Sequence, residues 1–278
     1  MTQVTAQGID AVCELVSELS GIVWDDSKTY LIEARLKSLA DEHGCACYSE
    51  LVRKVRSSQI PKDVILDAVT TNETLWFRDN APFEALKHKA LPEIIDAKLA
   101  AGKKRLRIWS AASSSGQEPY SIAMTIAETL PDFRQWDIQI LGTDISLSIL
   151  KEAKAAEYGE LEISRGMSDH YLRKYMVKKQ ECWTVSDDIR LMCSFRTRNL
   201  LETFMGLGPF DIIFCRNVAI YFSREDRNSL FTRMRDIVTD DGWLFTGSSE
   251  TLTELRNSWD SQQHCGTTCY RPKAAVTV

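Results

Sequence analysis

Between residues 105 and 247, short apolar runs alternate with segments of helical spacing, and no other feature constrains the fold as tightly. RLRIWSA (105–111), WDIQILGTD (136–144), FDIIFCRN (210–217) and GWLFTG (242–247) read as strands. Helices are expected from Glu118 to Thr129, over SLSILKEAKAA (146–156) and over REDRNSLFTRMRDIV (224–238). Strands alternating with helices form βαβ units, because a parallel pair needs a crossover long enough to hold a helix. The fold class is therefore α/β with a mostly parallel sheet. Right-handed crossovers bring the strand C-termini to one edge, where sheets of this kind bind ligands. The pattern breaks between Tyr175 and Asn199. There CWTV (182–185) and IRLMCSFRT (189–197) predict two short antiparallel strands, a small β insertion over about residues 180–197.

Residues 1–75 carry no strand alternation. Ile9, Val12, Cys13, Val16 and Leu19 follow 3.6-residue spacing up to Gly21, and Leu31, Ile32, Leu36 and Leu39 repeat it up to Gly44. Leu51, Val52 and Val55 mark a third helix, and Pro61 opens a fourth with Val64, Ile65, Ala68 and Val69. This reads as a small all-α domain. Residues 76–101 link it onward, with an amphipathic helix over 80–101 that carries Phe83, Leu86, Leu91, Ile94, Ile95 and Leu99. Residues 102–278 form the α/β part.

Of the 278 residues, 44% are hydrophobic and the formal net charge is −5. An acidic chain argues against nucleic acid as a partner, since phosphate binding needs a basic surface. No apolar run approaches the ~18 residues of a membrane span, so no membrane insertion is expected. The opening MTQVTAQGIDAVCEL lacks a basic region ahead of an apolar stretch, so no secretory signal is expected and the chain reads as cytoplasmic. The eight cysteines form no CxxC pair and fit reduced thiols better than a disulfide framework. His43, His88, His170 and His264 lack metal-ligand spacing, so no metal site is predicted. No GxSxG, Cys–His arrangement or P-loop is present. Group transfer from an already activated donor fits that absence.

The candidate site lies at the strand ends. Residues 110–119 (SAASSSGQEP) are small enough to let a ligand approach the backbone, although a plain polar turn reads the same way and a GxGxxG is missing. Asp144 ends the second strand, where its carboxylate can accept ribose hydroxyls or merely cap the next helix. Together they favour a nucleoside ligand. Arg216 and Asn217 follow a buried strand directly and should face the cleft, with a solvated surface loop as the alternative. TTNETLWFR (70–78) sets aromatics beside polar groups, which suits a lid over a ring system or an interdomain packing loop.

TTNETLWFRD (70–79), WSAASSSGQEPYSIAM (109–124), LGTDIS (141–146), NLLE (199–202), PFDIIFCRNVAIYF (209–222) and DGWLFTGSSETL (241–252) resemble the CheR family, the chemotaxis receptor glutamate O-methyltransferases. GIVWDDSKTYLIEARL (21–36) is similar to that family's small helical domain. The resemblance spans roughly residues 8–271 with six motifs in order. It implies a Rossmann-like methyltransferase domain with a small β subdomain, preceded by the all-α domain. It implies S-adenosylmethionine as cofactor, with Glu118, Asp144, Asn199, Leu200 and Asn217 lining its pocket and Asn72, Thr74 and Arg78 closing over it. Arg216, beside Asn217, is counted with them. Arg78 and Tyr221 should stand close to the methyl donor as the catalytic pair. Family members often have Thr and Glu where Ser115 and Gln117 stand, and Met or Leu where Ala219 stands; Ser115 keeps the hydroxyl, Gln117 removes one charge while Glu118 remains, and Ala219 should loosen packing near the cleft and leave the chemistry untouched. In this family the β subdomain can dock a C-terminal receptor pentapeptide, and members with a shorter β loop lack that docking. The compact insertion here predicts no tether.

The implied partner is the Glu-rich helical cytoplasmic region of a methyl-accepting chemotaxis receptor, met by a monomeric enzyme. A glutamate acceptor has a pKa near ~4.3 and is already ionised at neutral pH, so no general base is required. Residues 28–62 hold seven basic side chains (Lys28, Arg35, Lys37, Arg53, Lys54, Arg56, Lys62) against four acidic ones, a surface that could steer an acidic partner or simply be solvated. The rival readings are a nucleic-acid or small-molecule methyltransferase, and a non-catalytic S-adenosylmethionine-binding adaptor or sensor. The adaptor would keep Glu118 and Asp144 and lose the groups near the methyl.

Overall fold

The computed structural model describes residues 4–24 and 29–273. Four helices come first: α1 (Ala6–Ser20), α2 (Thr29–Glu42), α3 (Tyr48–Arg56) and α4 (Lys62–Val69). The Thr5 hydroxyl caps α1 by accepting from Gly8 N, and Gly21 ends it in the left-handed region at φ 75°. The periodic apolar positions meet in one core, with Val16, Ile32, Leu36, Tyr48, Val55 and Ile65 all buried. Asp25, Asp26, Ser27 and Lys28 of the N-terminal motif lie outside the described residues.

After residues 70–80 come α5 (Ala81–Ala85), a π turn (Leu86–Ala90) and α6 (Leu91–Ala100), which run on as one helical stretch. The π turn has a local cause. Pro92 has no N–H to continue the four-back ladder, and Leu91 N instead bonds the Leu86 carbonyl five residues back.

The α/β part runs β1 (Arg105–Ala111), α7 (Gln117–Thr129), β2 (Asp137–Asp144), α8 (Leu147–Ala155), β3 (Glu157–Tyr158), α9 (Glu160–Ser164), α10 (Asp169–Tyr175), β4 (Met176–Lys179), β5 (Cys182–Val185), α11 (Asp187–Arg190), β6 (Cys193–Thr197), β7 (Phe210–Cys215), α12 (Arg224–Arg235), β8 (Val238–Thr246), β9 (Trp259–His264) and β10 (Thr267–Pro272). The main sheet has the order β6-β2-β1-β7-β8-β10-β9. Its first five strands are parallel, and β10 pairs antiparallel with both β8 and β9. Strand pleating sorts side chains to two faces. Ile108, Ile212 and Phe214 join the core under α7, while Trp109, Ile213 and Cys215 join the core under α12. The chain leaves β1 toward β2 on one side and returns to β7 on the other. The crevice between the C-termini of β1 and β7 is therefore the topological switch point.

The insertion differs from the sequence expectation. Cys193–Thr197 is not an antiparallel partner of CWTV but the parallel edge strand of the main sheet, in register from Ile140↔Cys193 to Asp144↔Thr197. Residues 187–190 are helical, and the small sheet is instead β3-β5-β4. The β insertion thus spans about residues 157–185 rather than 180–197. In β6 only Phe195 is fully buried, and such half-buried alternation looks the same in a local hairpin as on a sheet edge. The β9–β10 hairpin was also not expected. Its strands are mostly polar, and Cys265 (φ 50°) and Gly266 (φ 79°) make its two-residue turn.

Candidate functional site

The turn after β1 is what makes a cleft possible. Ala112 (φ 60°), Ser114 (φ 48°) and Gly116 (φ 95°) are all left-handed, folding the chain tightly into α7. A side chain at Gly116 would meet Ala153 Cβ and Tyr158 Oη, both at 3.1 Å. The turn places Glu118 in the first turn of α7, pointing back under the strand ends. Its carboxylate accepts from Ser110 Oγ at 2.8 Å and from Arg216 Nη1 at 3.0 Å. Burial pushes the Glu118 carboxyl above the ordinary range, and Arg216 opposes that shift.

At the end of β2, Asp144 accepts from Ser114 N at 2.9 Å and from Ser146 N at 3.0 Å. Burial raises its carboxyl as well. Asp144 does not cap α8. Ser146 does, accepting from Ile149 N while its hydroxyl donates to Asp67 of α4 at 2.6 Å. Asp144 instead ties the loop after β1 to the loop after β2, at the lip of the crevice.

Arg216 lines the cleft, as its place at the end of a buried strand suggested. It is not a solvated loop residue: its side chain is 1% exposed. Besides Glu118, the guanidinium donates to Asp79 Oδ2 at 2.6 Å and to the Arg78 carbonyl at 2.9 Å, over the Phe83 ring. Arg216 therefore joins α7 to the segment that carries Arg78. That segment is folded sharply, with Phe77 (φ 48°), Asp79 (φ 67°) and Asn80 (φ 48°) all left-handed. The Arg78 side chain donates to the Glu73 carbonyl at 3.1 Å.

Residues 70–78 divide by chemistry. Trp76 and Phe77 are buried, against Tyr158 and against Phe83 and Tyr171, so these aromatics pack and do not cover a ligand. An added Cβ at Gly166 would lie 2.1 Å from the Trp76 carbonyl, which shows how closely the segment is docked. The polar members Asn72 and Thr74 face the cleft with Arg78, and the Asn72 carbonyl accepts from Ser114 Oγ at 2.7 Å.

The remaining contributors come from two further loops. Asn199 Nδ2 donates to the Leu19 carbonyl at the end of α1, and Leu200 is buried beside it. Asn217 sits at φ 57°, and the Tyr221 carbonyl accepts from Val23 N at 2.9 Å. Asn72, Thr74, Arg78, Glu118, Asp144, Asn199, Leu200, Arg216, Asn217 and Tyr221 all line one cleft of about 890 Å³, its open mouth included. Sequence reasoning missed Asp79 and Glu250, which hold lining residues from behind, and Asp67, which bonds Ser146 beside Asp144; Asp79 and Glu250 lay within quoted motifs, and nothing in the motifs spoke for their roles.

The basic stretch is less open than its composition suggests. Arg53 and Lys54 pair with Glu50, Arg56 pairs with Glu18 at 2.8 Å, and Arg35 donates to the Val69 carbonyl and to Thr71. Lys28 lies outside the described residues.

Residues 7–70 match the family model described as "CheR methyltransferase, all-alpha domain", and residues 72–268 match "CheR methyltransferase, SAM binding domain". Among curated relatives, the chain is 43% identical to chemotaxis protein methyltransferase 1 of Pseudomonas aeruginosa, over 91% of this chain and 93% of that protein. It is 41% identical to chemotaxis protein methyltransferase Cher2 of Pseudomonas putida, over 87% and 90%. It is 42% identical to the chemotaxis protein methyltransferase of Vibrio parahaemolyticus, over 86% and 87%.

Proposed function

The chain belongs to the CheR methyltransferase family, and from that premise we propose that it methylates glutamate side-chain carboxylates of chemoreceptor cytoplasmic regions, forming methyl esters. It is a methyltransferase and its cofactor is S-adenosylmethionine. The observation that carries the reading is the convergence of ten residues from five separate chain segments on one cleft at the switch point.

The residues present fit the cofactor. Two carboxylates, the half-buried Glu118 and the buried Asp144, meet one buried guanidinium, Arg216, so the floor of the cleft favours a cationic ligand with hydroxyl donors. S-adenosylmethionine, when bound, supplies a methyl group already activated on a sulfonium. Asp144 accepts hydrogen bonds from the ribose hydroxyls, and Glu118 adds a second acceptor deeper in the cleft. Arg216 holds Glu118 and the Arg78 backbone in fixed relation, which makes it a positioning residue.

The acceptor side needs little beyond placement. A glutamate is ionised at neutral pH, and ester formation from it moves no proton, which agrees with a cleft that contains no histidine. Arg78, at the mouth, steers and orients the incoming carboxylate, and Tyr221 hydrogen-bonds it. A strong Arg78–carboxylate pair would stabilise the ground state and slow the reaction, so a modest, part-exposed contact is the better design. Because opposite charges are lost during transfer, closing out water helps the reaction.

Labelled methyl transfer from S-adenosylmethionine to a panel of purified receptor cytoplasmic domains tests the reading. The expected result is base-labile label on at least one receptor. Tight cofactor binding with no transfer to any of them would favour the adaptor.

A further inference from the structure

The loop that follows β7 carries Asn217, Val218, Tyr221 and Phe222 into the cleft, yet apart from the three-residue turn at Ala219–Tyr221 it has no regular structure to hold it. Tyr221 and Phe222 are tied to Val23 and Ile22 of the all-α domain, and residues 217–219 are held by one side chain. Glu250 is 1% exposed and lies in the loop after β8. Its Oε2 accepts from Asn217 N at 2.7 Å and from Gly247 N at 2.6 Å, and its Oε1 accepts from Val218 N at 2.9 Å and from Ala219 N at 2.7 Å. Four backbone donors converge on one carboxylate, three of them consecutive in the cleft loop.

The cradle is built from both sides. Glu250 is itself fixed, since its N–H donates to the Gly247 carbonyl at 2.9 Å and its carbonyl accepts from Thr246 Oγ1 at 2.8 Å. Gly247 leaves the space that the carboxylate fills: an added Cβ there would lie 2.6 Å from Glu250 Oε2 and 2.9 Å from Asn217 Nδ2. Asn217 meanwhile adopts φ 57°, in the left-handed region that asparagine enters more readily than most non-glycine residues, and its N–H donates to the carboxylate from there. A buried carboxylate satisfied by backbone N–H groups in place of a cationic side chain is a template for loop shape, because each donor must point at the same two oxygens.

We propose that Glu250 is a positioning residue for the methyl-transfer site: it sets the backbone of residues 217–219 and through it the places of Asn217 and Tyr221. The assignment rests on the proposed function for what Asn217 and Tyr221 contact, so its test includes a readout that needs no receptor. Gln at 250 keeps the shape but turns an amide N–H₂ toward two backbone N–H groups that now face a carboxylate oxygen.

Glu250→Gln and Gly247→Ala should be compared with the wild-type chain at a temperature where circular dichroism shows each folded. Three quantities are read: amide hydrogen exchange at residues 217–219, calorimetric affinity for S-adenosylhomocysteine, and kcat against KM on a receptor domain that the wild type methylates. Glu250→Gln is expected to speed exchange at 217–219, weaken S-adenosylhomocysteine about 10-fold and lower kcat ~10–100-fold, the scale of a misplaced reacting group. Gly247→Ala, which keeps the carboxylate and crowds the cradle, should move all three the same way. A role in stability alone would lower Tm and leave affinity and kcat of the folded protein within twofold of wild type, and that result overturns the proposal. If Glu250→Gln does not fold, Gly247→Ala is held to the same thresholds. Failure of the wild type to methylate any receptor would count against the proposed function, while the exchange and affinity changes would still decide the role of Glu250.

Discussion

Arg78 is the residue on which the acceptor chemistry turns. Among the described residues its side chain hydrogen-bonds the Glu73 carbonyl alone, while its own carbonyl is gripped by the buried Arg216. The backbone is therefore fixed and the guanidinium remains available to a carboxylate. Arg78→Ala should lower kcat/KM ~10–1,000-fold, equivalent to ~1.4–4 kcal/mol, with the fold retained; an unchanged single-turnover rate would remove Arg78 from the mechanism. Asp144 belongs to the other half of the site. Asp144→Ala should weaken S-adenosylmethionine binding in calorimetry, and wild-type affinity would refute the ribose role. Asp144 and Arg216 also show what a sequence can and cannot say about a residue. That a charge at a strand end matters was legible in both. That Asp144 also bonds Ser114 N and Ser146 N, and that Arg216 is consumed by Glu118, Asp79 and a carbonyl, was not, because those partners lie up to 138 residues away in the chain.

At the scale of elements, β7 was readable because a strand central to a parallel sheet is buried on both faces and appears as an unbroken apolar run, while β1 and β2 start with alternating polar positions and become buried toward the cleft. β6 and the β9–β10 hairpin were not readable, since edge strands are half polar and their pairing is decided by partners distant in sequence. The insertion between α8 and β6 is pinned to α7 by Glu128, which accepts from Lys174 at 2.8 Å, Tyr175 at 2.9 Å and His170 at 3.0 Å. Burial alone would raise the Glu128 carboxyl, but these donors outweigh it and hold it at about 2 against an ordinary 4.5. A carboxyl depressed in the folded state contributes stability that is present above pH 4.5 and lost as pH falls toward about 2. Glu128→Gln should therefore lower Tm at neutral pH and flatten the fall in Tm across that window; an unaltered profile would contradict the pinning. The β4–β5 hairpin turns through Gln180 and Glu181 alone. We expect this compact subdomain to have no use for a receptor tether, so removing a receptor's last five residues should leave its methylation rate unchanged, and a fall of more than about 10-fold would contradict that.

The whole molecule is two folding units joined across the site. Hydrogen bonds tie the all-α domain to the cleft loops, among them Asp67 to Ser146, Leu19 to Asn199, and Val23 to Tyr221. The two-part division was legible as a change from helical to alternating periodicity, whereas these contacts were not, since each is a single hydrogen bond between segments with no shared pattern. The net charge of −5 conceals a basic stretch in the smaller unit. Most of its side chains have acidic or carbonyl partners on the surface, where salt-screened pairs are weak, so a residual positive field can still steer an acidic helix. Receptor methylation should slow with added salt and with charge reversal at Arg53 and Lys54; insensitivity to both would leave this face a solvated surface only. The central claim, that the cleft esterifies glutamate, is tested most directly by mapping the label on a methylated receptor domain peptide by peptide. The account requires it on glutamate side chains as a base-labile ester, formed more slowly in the Arg78→Ala reaction. Label that resists base, or that resides on another residue type, would contradict it.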